Sequence, residues 1–142
     1  LLRVARQLGA VLDDAYDVEI SEAHHRFKRD APSGTALALR DAVAEGRRTS
    51  GGGEPGVIYG RRGETGQRPR GEIGVHSLRL GDTIGTHAVS FGTIGETITI
   101  GHEAHSRATF AHGALRAAKW LVGKPPGLYD MQDVLFGGDA TE

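Results

Sequence analysis

The sequence has no cysteine at all. That excludes a disulfide framework, thiolate catalysis and any cysteine-ligated metal, and it suits a reducing compartment, so a cytoplasmic location is expected. Aromatic residues are sparse, at 6%. No apolar run approaches the roughly 18 residues that a membrane span needs, and no signal-peptide pattern opens the chain. The formal net charge is only -1. Composition alone therefore argues neither for a nucleic-acid partner nor for an anionic membrane surface. What is abundant is glycine, 22 of 142 residues, about twice average usage. Such a chain has many turns around a modest core and the length of a single domain, residues 1–142. Leu1 falls inside a helical pattern, from which a cut, processed or engineered N-terminus is expected.

Leu1, Val4, Ala5, Leu8, Val11 and Leu12 recur at helical spacing and predict an amphipathic helix over 1–12. Residues 17–25 alternate as a strand, with Val18 and Ile20 on one face. A turn over 30–35 opens a second helix, for which Gly46 is a plausible stop. Residues 49–71 read as loop, with Arg61, Arg62, Arg68 and Arg70 among glycines. Strands are expected over 72–80, 83–91 and 93–102, with turns at Gly81, Asp82 and Gly92. A third helix begins near Ser106 or Thr109, and Asp130 caps a short last one. This order predicts an α+β fold with an open mixed or antiparallel sheet and helices on one face. The uncovered face of such a sheet is expected to serve oligomerisation.

The chemistry concentrates between Glu22 and Ala36. In an extended chain alternate residues share a face, so Glu22, His24, Arg26 and Lys28 are expected to line up at the strand end. Three potential cations so placed repel one another unless an anion lies nearby. Just downstream, Ser33, Gly34 and Thr35 precede a helix. The first N–H groups of a helix lack intrahelical partners, and with the helix dipole they form an anion site. Gly34 permits close approach to the backbone, and Thr35 adds a hydroxyl. The pattern suits a small substrate with two carboxylates. Each element has a plainer reading: a lone histidine is usually a solvated side chain, and Ser-Gly-Thr before a helix is usually only a cap. A metal held by His24, His25, His102 and His105 lacks both cysteine and the H-E-x-x-H spacing. An RNA-binding reading of Arg61 to Arg70 lacks interleaved aromatics and net basic charge.

The string Glu22-Ala-His-His-Arg-Phe-Lys28, followed by Asp30-Ala-Pro-Ser-Gly-Thr-Ala36, resembles the signature of the dihydrodipicolinate reductases. The likeness continues through Arg62 to Gly66, Gly71 to Gly74, Arg79 to Asp82, Gly85 to His87, Ile94 to Glu96, Ser106 to Phe110 and Gly127 to Met131. The resemblance implies the substrate-binding and catalytic domain of an oxidoreductase of lysine and diaminopimelate biosynthesis. Such an enzyme reduces a cyclic imine dicarboxylate to tetrahydrodipicolinate with NADPH or NADH. It further implies that His24 and Lys28 are the proton donors, that His25, Gly34 and Thr35 bind substrate, and that Arg107 and Phe110 lie on the hinge side near the cofactor. Family members are homotetramers built through this sheet, and an N-terminal Rossmann domain holds most of the nucleotide. No Gly-rich strand-to-helix turn of that kind occurs here; Gly51, Gly52 and Gly53 follow a helix. His105 stands where a serine is common, and Phe27 where a polar residue is common. The competing expectation is a non-catalytic oligomerisation or dicarboxylate-binding module.

Overall fold

Two short-range patterns, one of period 3.6 and one of period two, divide the first hundred residues. In the computed structural model, which describes residues 1–137, they become α1 (Leu2–Val11), β1 (Asp17–His24), α2 (Gly34–Thr49), β2 (Val57–Ile58), β3 (Ile73–Arg79), β4 (Gly85–Thr93) and β5 (Glu96–Ala104). The chain divides into two compact units, Leu1–Glu103 and Ala104 onward. In the first, five strands form one sheet in the order β2-β3-β1-β4-β5. β1 runs parallel to β3 and antiparallel to β4, and β2 runs parallel to β3. The sheet is therefore mixed, as the sequence predicts.

Alternation along the strands separates two faces. Val18, Ile20, Ile73, Val75, Val89 and Phe91 are buried together with Ala5 of α1 and with Ala36, Leu39, Val43 and Ala44 of α2. Burial of each large aliphatic or aromatic side chain contributes about 1.5–3 kcal/mol. On the other face, Ser21 is exposed and Ala88 and Ser90 are half-buried. There the Glu19 carboxylate receives Arg61, Arg68 and His76, and Arg61 also reaches Glu72. Two of the four arginines in the loop before β3 are thus committed to carboxylates that pin it against the sheet.

Four local expectations are corrected. Gly46 does not end α2, which continues to Thr49. A Cβ there would stand 2.1 Å from the Arg6 carbonyl oxygen, so this glycine permits the close approach of α1. Gly92 lies within β4, and the chain reverses instead at Ile94 and Gly95, where Gly95 takes φ +98°. A left-handed φ there suits a residue without Cβ. The loop before β3 contributes the short strand β2 through parallel pairing that local pattern does not encode. β1 stops at His24, and the next residues turn, with Lys28 N–H donating to the His25 carbonyl at 3.1 Å.

The second unit contains α3 (Ala108–Leu121) and α4 (Met131–Phe136). Ser106 Oγ accepts the Ala108 N–H at 3.1 Å. Asp130 closes a reciprocal capping box with Asp133 at the start of α4, and the Trp120 ring meets Tyr129 edge-on and Lys124 over its face. Among the described residues no helix is long and apolar enough to cross a membrane.

Candidate functional site

Strand register assembles the site before any side chain is considered. Glu22 stands opposite Ser77 on one side and His87 on the other, and His24 stands opposite Arg79. All of these project on the face that α2 covers. The start of α2 is brought to the same end of the sheet. Ser33 caps it, with Oγ accepting the Ala36 N–H at 3.2 Å.

Glu22 is the hub. It is 1% exposed, and a carboxylate buried alone is costly. Arg79 meets it with two parallel bonds, Nη1 to Oε2 and Nη2 to Oε1, each 2.9 Å. Bidentate guanidinium pairs are among the strong charge-assisted hydrogen bonds. Ser33 N–H donates to Oε1 at 3.2 Å, and His24 Nδ1 lies 2.5 Å from Oε2. Burial by itself would raise the carboxyl's pKa. Hydrogen bonds from Arg79, then His24 and Ser77, outweigh it and hold the group at about 2. Arg79 Nη2 also donates to the Asp30 carbonyl at 2.6 Å, tying the loop between β1 and α2 to the sheet.

His87 extends the network. Its Nε2 lies 3.0 Å from Ser33 Oγ, and its ring meets that of His24 edge-on with centroids 5.1 Å apart. Burial lowers its pKa first, and repulsion from a charged His24 adds to this, so the neutral ring is favoured. His102 of β5 acts on His87 in the same direction. Among the described residues no three His, Asp or Glu side chains converge to hold a metal ion.

The expected alignment of Glu22, His24, Arg26 and Lys28 is therefore half right. Glu22 and His24 share the face, but Arg26 and Lys28 follow the end of the strand. Lys28 Nζ is held by both oxygens of Asp30 at 2.9 Å. His25 Nδ1 is buried and has no hydrogen-bond partner among the described residues. Gly34 and Thr35 are exposed in the first turn of α2, and no atom of the described residues would lie within 4 Å of a Cβ on Gly34. Their N–H groups belong to the helix positions that have no intrahelical acceptor. Arg107 and Phe110 lie at the start of α3 in the second unit, where Phe110 is exposed. The sequence offered Ser33 only as part of a helix cap, which it is, and gave no role to Arg79 or His87. A glycine two residues before His87 and an arginine in the Arg79-Leu-Gly-Asp82 string were visible, but their convergence on Glu22 depends on strand pairing.

In this α+β unit the start of α2 and two imidazoles are gathered at one buried carboxylate. Over residues 1–135 the sequence matches the family described as dihydrodipicolinate reductase, C-terminus, and the chain belongs to that family. It is 54% identical over 137 residues to the 4-hydroxy-tetrahydrodipicolinate reductase of Hahella chejuensis, covering 95% of this chain and 50% of that protein. It is equally, 54%, identical over 136 residues to the enzyme of that name from Thiobacillus denitrificans, with the same coverage of 95% and 50%. The chain thus spans about half the length of the curated relatives it matches. Among solved structures, the dipicolinate-bound dihydrodipicolinate reductase from Paenisporosarcina sp. TG-14 superposes with a TM-score of 0.64 at 24% identity, over 93% of this chain and 50% of that one. That likeness bears on the fold.

Proposed function

We propose that this chain supplies the substrate-binding and proton-donating half of a dihydrodipicolinate reductase, which reduces a cyclic imine dicarboxylate to tetrahydrodipicolinate in lysine and diaminopimelate biosynthesis. The observation that carries the reading is the joining of His24 and the start of α2 through Glu22: one carboxylate receives both His24 Nδ1 and Ser33 N–H. A potential acid and an anion-accepting helix turn are thereby fixed with respect to each other.

In this reading the first carboxylate of the substrate accepts hydrogen bonds from the Gly34 and Thr35 N–H groups and the Thr35 hydroxyl. The second reaches toward His25, whose buried Nδ1 lacks a partner among the described residues. One proton completes the reduction, and His24 and Lys28 are the groups placed to give it, Lys28 once it leaves Asp30. NADH or NADPH supplies the hydride. The connection from β1 to α2 has no glycine-rich pyrophosphate turn, so most of the nucleotide is assigned to an N-terminal Rossmann domain, with Arg107 and Phe110 on its hinge side. The working assembly is a cytoplasmic homotetramer formed through the sheet face that carries Ser21, Ala88 and Ser90. Neither nucleic acid nor membrane is a partner.

Titration of the chain with pyridine-2,6-dicarboxylate, followed by amide NMR, tests the reading. Shifts are expected at Gly34 and Thr35, with affinity near millimolar, or about -4 kcal/mol. Thr35→Val should weaken binding. No shift at either residue at tens of millimolar ligand, in a folded sample, would remove the dicarboxylate site.

A further inference from the structure

We infer that Glu22 is a positioning residue: its buried carboxylate, clamped by Arg79, keeps a proton on His24 Nδ1 and so leaves Nε2 as the atom that exchanges a proton with substrate. The inference rests on the reading of His24 as the proton donor and adds to it which nitrogen acts and what selects it.

An ionised carboxylate only accepts hydrogen bonds, so every group around Glu22 must donate. Arg79 donates two N–H groups and Ser33 donates one. At 2.5 Å from Oε2, His24 Nδ1 must also carry hydrogen. A bare nitrogen there would set two lone pairs against each other in a site closed to water. The depressed pKa of Glu22 agrees with an acceptor that stays ionised. With Nδ1 committed, a neutral His24 offers a bare Nε2, and a charged one offers Nε2–H.

Two further features keep Nε2 available. No protein group among the described residues hydrogen-bonds it. On its side stands Gly85, and a Cβ there would lie 3.2 Å from Nε2 and 3.8 Å from His87 Cε1. Any side chain at that position would crowd this edge of the ring. His87 meets the His24 ring edge-on, while its own Nε2 is taken up by Ser33 Oγ at 3.0 Å, the oxygen that also accepts the Ala36 N–H. Glu22 also holds Ser33 N–H, so moving this carboxylate would displace the imidazole and the helix start together.

The test is the tautomer of His24, read from long-range proton–nitrogen correlations of the histidine-labelled chain. The unmodified chain should show neutral His24 with its hydrogen on Nδ1. A neutral ring protonated on Nε2 overturns the inference, and this measurement needs no variant to fold. In Glu22→Gln, the Nδ1–H form should cease to be the majority; an unchanged His24 pattern in a folded variant overturns the inference as well. Gly85→Ala should broaden or shift the His24 signals while leaving the Glu22–Arg79 pair in place. In a two-domain protein carrying this chain, Glu22→Gln should lower kcat by about 10²-fold, the lower end of what acid–base catalysis contributes. Normal kcat in Glu22→Gln, with a crippled His24→Gln, defeats the positioning role alone. Normal kcat in both defeats the assignment of His24 as the acid, whatever its tautomer.

Discussion

Gly46 of α2 packs directly on the backbone of Arg6 in α1: a Cβ on Gly46 would stand 2.1 Å from the Arg6 carbonyl oxygen and 2.8 Å from Ala10 N. The approach is reciprocal, since a Cβ on Gly9 would lie 2.6 Å from the Val43 carbonyl oxygen. Replacing a mid-helix glycine by alanine ordinarily stabilises by about 0.5–1 kcal/mol. Here the obstacle is backbone, which cannot swing aside. Gly46→Ala should therefore destabilise by about 1–3 kcal/mol, as overpacked cores do. Gly113 of α3 has nothing within 4 Å of its would-be Cβ, so Gly113→Ala should show the ordinary gain. Urea midpoints of the two variants should move in opposite directions; shifts of the same sign would refute the close crossing.

Arg79 neutralises a carboxylate that has no access to water. Arg79→Gln leaves Glu22 buried and charged with only Ser33 N–H, His24 and Ser77 to donate to it, and removing one member of a buried pair typically costs about 3–5 kcal/mol. Arg79→Lys retains the charge but not the two parallel bonds, and should fall between. Denaturant unfolding at neutral pH would show the order; equal stability of all three proteins would contradict the pairing.

Stability should rise with pH in two windows. His87 is neutral in the fold because burial and then His24 push its pKa below the ordinary 6.5. The unfolded chain binds that proton more readily, so its contribution is full above 6.5 and is lost as pH falls toward the folded value. Glu22 is held at about 2 against an ordinary 4.5, and Glu19, where bonds from Arg61, His76 and Arg68 overcome the effect of burial, is also held at about 2. Their contributions are full above 4.5 and disappear as pH falls toward 2. Unfolding free energy against pH, compared between the unmodified chain and His87→Gln, isolates the upper window. Identical slopes below 6.5 would remove His87 from it.

In a two-domain protein carrying this chain, His24→Gln should lower kcat by about 10²- to 10⁴-fold, the range for loss of an acid–base group. Lys28→Ala should also lower it, while nucleotide affinity stays unchanged in both. Steady-state rates and fluorescence titration of NADH or NADPH separate the two effects. If only His24→Gln is silent, Lys28 carries the protonation by itself.

Association through the sheet predicts a tetramer at micromolar concentration. Placing a charge on the uncovered face, as in Ala88→Asp or Ser90→Glu, should shift sedimentation toward smaller species without loss of secondary structure. A monomer in the unmodified chain would remove the sheet face as an interface.

Much of the architecture is legible in the linear pattern. The 3.6-residue spacing from Leu1 to Leu12 gives α1, and the alternation around Val18 and Ile20 gives β1, because both signals arise from the local geometry of a chain that must hide one face. Asp130 announces α4 for a similar reason: its capping bonds span only two and three residues. Gly46 misleads because a glycine that ends a helix and one that admits a neighbouring backbone look alike in sequence. Gly92 and Gly95 mislead because either could turn a strand, and the pairing of β4 with β5 selects between them. At the site, the shared face of Glu22 and His24 follows from period two, and the open helix start at Gly34 and Thr35 follows from the Ser-Gly-Thr turn that precedes the helix.

By itself the sequence determined the family, the order of most elements, the string that carries the family likeness from Glu22 to Ala36, and the absence of cysteine chemistry. These are properties carried by nearest neighbours along the chain and by motifs longer than chance. Only the tertiary structure decided which groups Glu22 meets. Parallel pairing of β1 with β3 brings Arg79 across 57 residues of sequence to its carboxylate, and antiparallel pairing with β4 brings His87 beside it. The same folding turns Arg26 and Lys28 out of the strand and gives Lys28 to Asp30. A buried charge must find its partner wherever the sheet's register delivers one, and register is set by the whole hydrophobic face rather than by the residues next to the charge.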